Sequence, residues 1–171
     1  GTIETLLTTP ITTTEVVLAK YGAAYVMYLG LWSSTSGFFY LLHRFSGDAR
    51  FVDLGPLAGG YLFVAVSGLL FVAIGVFASS LSRNQAVAGI LCFTMLFALV
   101  VGMRRLGDTA WFDRPGLETL RGAIDYAQIF SHRDDFTRGV IDTRHLLFYL
   151  SGTTLALIFS VLSVEARQLH S

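Results

Sequence analysis

Four runs of uncharged residues constrain this chain more than anything else in it. Lys20 and His43 are separated by 22 residues without a charge, Asp53 and Arg83 by 29, Arg83 and Arg104 by 20, and His145 and Glu165 by 19. A helix rises ~1.5 Å per residue, so ~20 apolar residues cross the ~30 Å hydrocarbon layer of a bilayer. The pattern predicts an all-α fold, a polytopic transmembrane helix bundle with spans near 21–42, 57–81, 85–103 and 146–164, in one domain over 1–171. Composition agrees, with 53% hydrophobic and 14% charged residues, against about 25% charge in average soluble domains. Four spans put both chain ends on one side of the lipid bilayer.

The connections differ in kind. Ser82-Arg83-Asn84 is a three-residue turn, so the second and third spans form a tight antiparallel hairpin. Residues 43–55 are a short polar loop, and Pro56 with Gly59-Gly60 marks the next helix entry. Residues 104–145 are charge-rich but not disordered in composition. Leu117, Leu120, Ile124 and Ala127 recur on one helical face, and Trp111, Phe112, Tyr126, Phe130 and Phe136 suit a membrane interface. This segment reads as one or two short amphipathic helices at the surface, where Arg138 and Asp142 can pair at helical spacing.

The first twenty residues read as two pieces hinged at Pro10. Ile3, Leu6 and Leu7 share one face of a short amphipathic helix whose other faces carry Thr2, Glu4, Thr5 and Thr8. Pro10 ends it. Thr12 and Glu15 then form a capping box, with Ile11 and Val16 placed for a hydrophobic staple, so a second helix starts near Thr13 and runs into the first span. The chain opens on Gly1 without a secretory signal pattern, as a fragment or a mature piece would.

Within the spans the informative residues are small or hydroxylic. Ser33-Ser34-Thr35-Ser36 either packs closely, its hydroxyls bonding back to the helix, or wets a face of a substrate path, to which Thr153 of the last span can contribute. Cys92 stands alone mid-span, which excludes a disulfide within the chain and a thiolate metal site. Twelve basic and twelve acidic residues cancel, and nothing points to nucleic acid. The only lysine is Lys20, so no phosphate-binding G-x-x-x-x-G-K-(S/T) loop is present. No G-x-S-x-G or H-E-x-x-H motif occurs, and no span has an internal ionisable residue of the kind proton relays use. His132-Arg133-Asp134-Asp135 reads as a solvated turn rather than a metal site, and His43 and His145 as membrane-boundary residues. These exclusions point away from catalysis.

Three ordered segments resemble a known family. GTIETLLTTPITTTEVVLAKYGAAY resembles the G-T-(I/L)-E-x-L-L-x-x-P segment, with its following E and K, of type-2 ABC transporter permeases. FASSLSRNQAVAGILCF resembles their short S-S-L-x-x-N-Q turn, and SHRDDFTRGVIDTRHLLFYLS the F-x-R-G-(V/I)-(I/L)-D-x-R segment before their last helix. The last motif is similar to that of the branch associated with bacterial gliding motility. His145 stands where the family often has Asp, and Arg133 where an aromatic is common.

The resemblance implies a six-span permease, of which this chain carries the last four spans. Thr2, Ile3, Glu4, Leu6, Leu7, Thr8 and Pro10 would belong to a cytoplasmic coupling helix docking on a separate ABC ATPase subunit, which binds ATP and Mg; the permease itself holds no cofactor. A second permease subunit would complete a central path with Ser33, Ser34, Ser36 and Thr153 as candidate lining. The expected place is the bacterial inner membrane. With the coupling helix inside, three basic residues (Lys20, Arg83, Arg167) are cytoplasmic and nine external, the reverse of the positive-inside preference. The expected function is ATP-driven export; the alternative is a membrane scaffold in a motility or envelope machine.

Overall fold

A computed structural model describes residues 12–45, 53–107, 122, 129–138 and 143–169. Among these the regular structure is helical: α1 (Thr13–Ser34), α2 (Ser36–Phe45), α3 (Leu54–Leu81), α4 (Gln85–Phe97), a π-helical turn (Ala98–Gly102), α5 (Met103–Gly107), α6 (Ile129–Thr137) and α7 (Thr143–Leu169). The expected coupling helix, residues 1–10, lies outside the described residues, as do Ile11 of the staple, Asp142 and most of 104–128.

Local chemistry sets the helix ends. The capping box forms as expected: Glu15 N donates to Thr12 Oγ1 at 3.3 Å and Thr12 N to Glu15 Oε2 at 2.9 Å. Gly55 N donates to the Asp53 carboxylate at the start of α3. Pro56 fits its first turn, where amides have no intrahelical acceptor. In the hairpin turn Asn84 N donates to Ser82 Oγ, and Ala86 N to Asn84 Oδ1, which caps α4.

The first expected span differs most. The sequence predicts one unbroken helix from near Thr13 through the span at 21–42; the helix begins at Thr13 as expected but stops at Thr35 and resumes at Ser36. The four hydroxyls at the break bond back to the helix: Ser33 to the Leu29 carbonyl, Ser34 to Gly30, Thr35 to Trp32 and Ser36 to Ser33, all within 2.9 Å. Such side chains compete with the amide ladder and bend or interrupt it. Among the described residues three helices are long and apolar enough to cross a membrane: Gly55–Leu81, Gln85–Leu106 and Thr143–Arg167. α1, diluted by Lys20 and its tyrosines and serines, is not one of them.

α3 is the hub. It packs against α7 above all, and also against α4, α1 and α6. Its contact with α7 uses small side chains: Leu70 lies against Gly152, and Ser163 Oγ donates to the Ser80 carbonyl, while Ala73 and Ala78 of α3 and Ser160 of α7 are fully buried. In lipid, where tails are as apolar as leucine, close backbone approach and interhelical hydrogen bonds drive association. Val66, Leu70 and Tyr149 form the core at this seam.

Candidate coupling site

The tract that follows the expected coupling segment is α1. Tyr21, Tyr25, Tyr28 and Trp32 fall at i, i+4, i+7 and i+11, one helical face. That face lies on α3. Tyr21 Oη donates to the Leu69 carbonyl at 3.2 Å, Tyr25 Oη to Ala65 at 2.8 Å and Tyr28 Oη to Val64 at 3.2 Å. The Tyr21–Tyr25 and Tyr25–Tyr28 rings stack at 6.0 and 6.3 Å. Tyr28 reaches α3 because residue 68 is glycine; a Cβ there would strike its ring. Lys20 Nζ adds a 2.8 Å hydrogen bond to Ser79 Oγ near one end of α3, and Thr35 pairs with Tyr61 near the other. α1 is thereby tied to α3 along its length. Sequence reasoning passed over this ladder, although the 4-3-4 spacing of its rings was visible.

The candidate path residues do not share one environment. Ser33, Ser34 and Ser36 are exposed on α1 and α2. Thr153 is buried within the bundle and donates to the Tyr149 carbonyl. Of the hydroxyl patch, Thr35 lines a cavity of about 300 Å³ with Trp32, Tyr61 and Arg133. The glycines there, Gly30 and Gly37, meet no neighbouring element. The hydroxyls thus bond back to the helix as one reading expected, but without the close packing expected with it.

The region before the last span corrects a second expectation. His132, expected in a solvated turn, is 1% exposed. Ile129, His132 and Phe136, at i, i+3 and i+7, form the buried face of α6. The His132 and His145 rings lie 4.0 Å apart, His132 Nδ1 is 3.2 Å from Tyr149 Oη, and His145 Nε2 is 3.9 Å from an Asp135 carboxylate oxygen. The Phe136 ring packs on Phe63, and Gly59 meets the Phe136 carbonyl so closely that a Cβ has no room. α6 therefore packs closely on α3 and meets the first turns of α7 through the side chains of His132, Asp135 and Phe136. Among the described residues no cluster of three or more His, Cys, Asp or Glu is arranged to hold a metal.

The family model for "ABC-2 family transporter protein" matches residues 1–164, nearly the whole chain. The chain belongs to the ABC-2 transporter family. It is a multi-pass membrane component of such a transporter, of a family whose permease subunits carry no ATPase domain and work with an ATPase partner. The match is to the family as a whole and selects no branch. No curated protein and no solved structure gives a significant match. In this ABC-2 permease the tyrosine ladder is the structural link between the lead helix and the hub.

Proposed function

We propose that the chain is the permease subunit of an ATP-driven exporter, and that α1 is its transmission rod. In this reading residues 1–10 are a cytoplasmic coupling helix, and Ile3, Leu6 and Leu7 seat it on an ATPase subunit that binds ATP and Mg. Thr2, Glu4, Thr8 and Pro10 shape that contact. α1–α2, α3, Gln85–Leu106 and α7 correspond to the last four spans of a six-span permease in a bacterial inner membrane. A second permease subunit completes the path beside Ser33, Ser34, Ser36 and Thr153. The observation that carries the proposal is the ladder from Tyr21, Tyr25 and Tyr28 to three α3 carbonyls, directly beyond the capped start of α1. Interfaces in lipid are bistable packings rather than springs. A rod tied to the hub lets an ATPase stroke rock α3 and α7 between inward- and outward-facing arrangements. The likeness of residues 131–151 to the gliding-motility branch supports an envelope machine as the setting.

The test is co-purification of the full-length chain with a P-loop ATPase encoded beside it. Ile3→Asp/Leu7→Asp is expected to lose the ATPase while still inserting in the membrane. If the variant keeps the ATPase, residues 1–10 are not the docking element. If the ATPase binds and turns over in vesicles that move no solute, the scaffold role replaces export.

A further inference from the structure

At the end of the bundle where α1 begins, three cations from distant parts of the sequence meet. Lys20 of α1, Arg83 of the α3–α4 turn and Arg167 of α7 line one cavity of about 370 Å³, together with Ser79 and Ser80. Its remaining walls are valines, including Val16, Val76 and Val164. Among the described residues neither Arg83 nor Arg167 has a carboxylate within ion-pair distance, and the Glu15 carboxylate is engaged by the Thr12 amide. Lys20 is held by the neutral Ser79 hydroxyl. Like charges gathered around an apolar pocket repel, and an anion between them turns that repulsion into attraction.

The position says what kind of anion. Leu81 and Arg167 are the last residues of two apolar spans, so the cavity sits where hydrocarbon gives way to headgroups. Valine walls accept an acyl stem, and arginine and lysine at the rim accept a phosphodiester, Arg in bidentate fashion. We propose that Lys20, Arg83 and Arg167 form a binding site for the phosphate headgroup of an anionic phospholipid, such as phosphatidylglycerol or cardiolipin. The site is independent of the transmission role, because it requires only a membrane and no ATPase. Three basic residues on the sparsely charged side of the protein are thereby gathered at one lipid rather than scattered. An anionic lipid in this cavity bridges α1, α3 and α7 and holds the base of the lead helix.

The experiment is lipid retention by the purified full-length chain, read by native mass spectrometry and by melting in nanodiscs of phosphatidylcholine with and without phosphatidylglycerol or cardiolipin. The wild type is expected to retain one anionic lipid per chain and to melt higher when that lipid is present. Arg83→Ala/Arg167→Ala is expected to bind roughly thirtyfold more weakly, at roughly fivefold per arginine removed near the surface. Arg83→Lys/Arg167→Lys should keep most of the binding, which separates charge loss from misfolding. Arg44→Ala/Arg138→Ala removes the same charge elsewhere on the protein and should bind as the wild type does. Equal loss in that control means diffuse surface attraction and overturns the proposal. Displacement of the lipid by millimolar glycerol 3-phosphate or inorganic phosphate overturns it as well, since the site would then take a soluble phosphate. Phosphatidylcholine retained as firmly as phosphatidylglycerol has the same consequence.

Discussion

α3 and the Gln85–Leu106 helix are equally hydrophobic and do opposite things. Their apolar stretches have the same hydropathy, 2.5, yet 39% of the α3 stretch is buried within the protein and none of the other is. The difference lies in side-chain size and in what the small residues meet. α3 presents Gly59 to the α6 backbone, Gly68 to Tyr28, and Ala73, Ala78 and Ser80 to the buried interior. The α4 helix turns Val87, Ile90, Phe93 and Phe97 outward, and its Gly89 meets nothing. In water either helix would be driven inward by its apolar surface. In lipid that force is missing, and steric fit chooses the hub.

The sharpest way to break this contrast is the matched pair Gly59→Leu and Gly89→Leu. At Gly59 the new side chain meets the Phe136 carbonyl and the Thr137 backbone, which cannot swing aside as a side-chain tip can. About 3 kcal/mol of stability should be lost, in the upper range for overpacking. Denaturant titration in mixed micelles reads this, and a mild effect would mean that α6 does not clamp α3. The ladder comes next. Tyr25→Phe removes one interhelical hydrogen bond and should cost about 0.6 kcal/mol, the average for such bonds in a membrane protein. The triple Tyr21→Phe/Tyr25→Phe/Tyr28→Phe variant should keep its ATPase partner in pull-downs yet lower the transport achieved per ATP consumed. Coupling unchanged in that variant would remove the transmission role from α1. The smallest effect is expected for Gly89→Leu, within about 0.5 kcal/mol of wild type, as for substitutions away from any packed feature. A large loss there would show that something covers α4 in the membrane, the surface a second subunit could use.

Local features were legible before the fold. The Thr12–Glu15 box, the Ser82–Asn84 turn and the second, third and fourth apolar runs appear where residue chemistry put them. The first span was misread because a hydropathy run ignores the local competition among four successive hydroxyls, which bond to carbonyls and interrupt the helix at Thr35. His132 was misread because a histidine beside three charges looks solvated, while its i, i+3, i+7 companions Ile129 and Phe136 place it on a buried face. The seven candidate docking residues in 1–10 stand as a reading of sequence alone.

Sequence by itself determined that this is a helical membrane protein of the ABC-2 family, where its hairpin turns and how α1 is capped, because apolar runs, caps and turns are local features of the chain. Only the tertiary structure decided which span is the hub, which carbonyls the tyrosines reach, and that Lys20, Arg83 and Arg167 share one cavity. Those outcomes depend on helix rotation and on the contact of small residues far apart in the chain. Lipid makes all apolar faces energetically alike, so nothing in a run of leucines and valines announces which face will meet another helix.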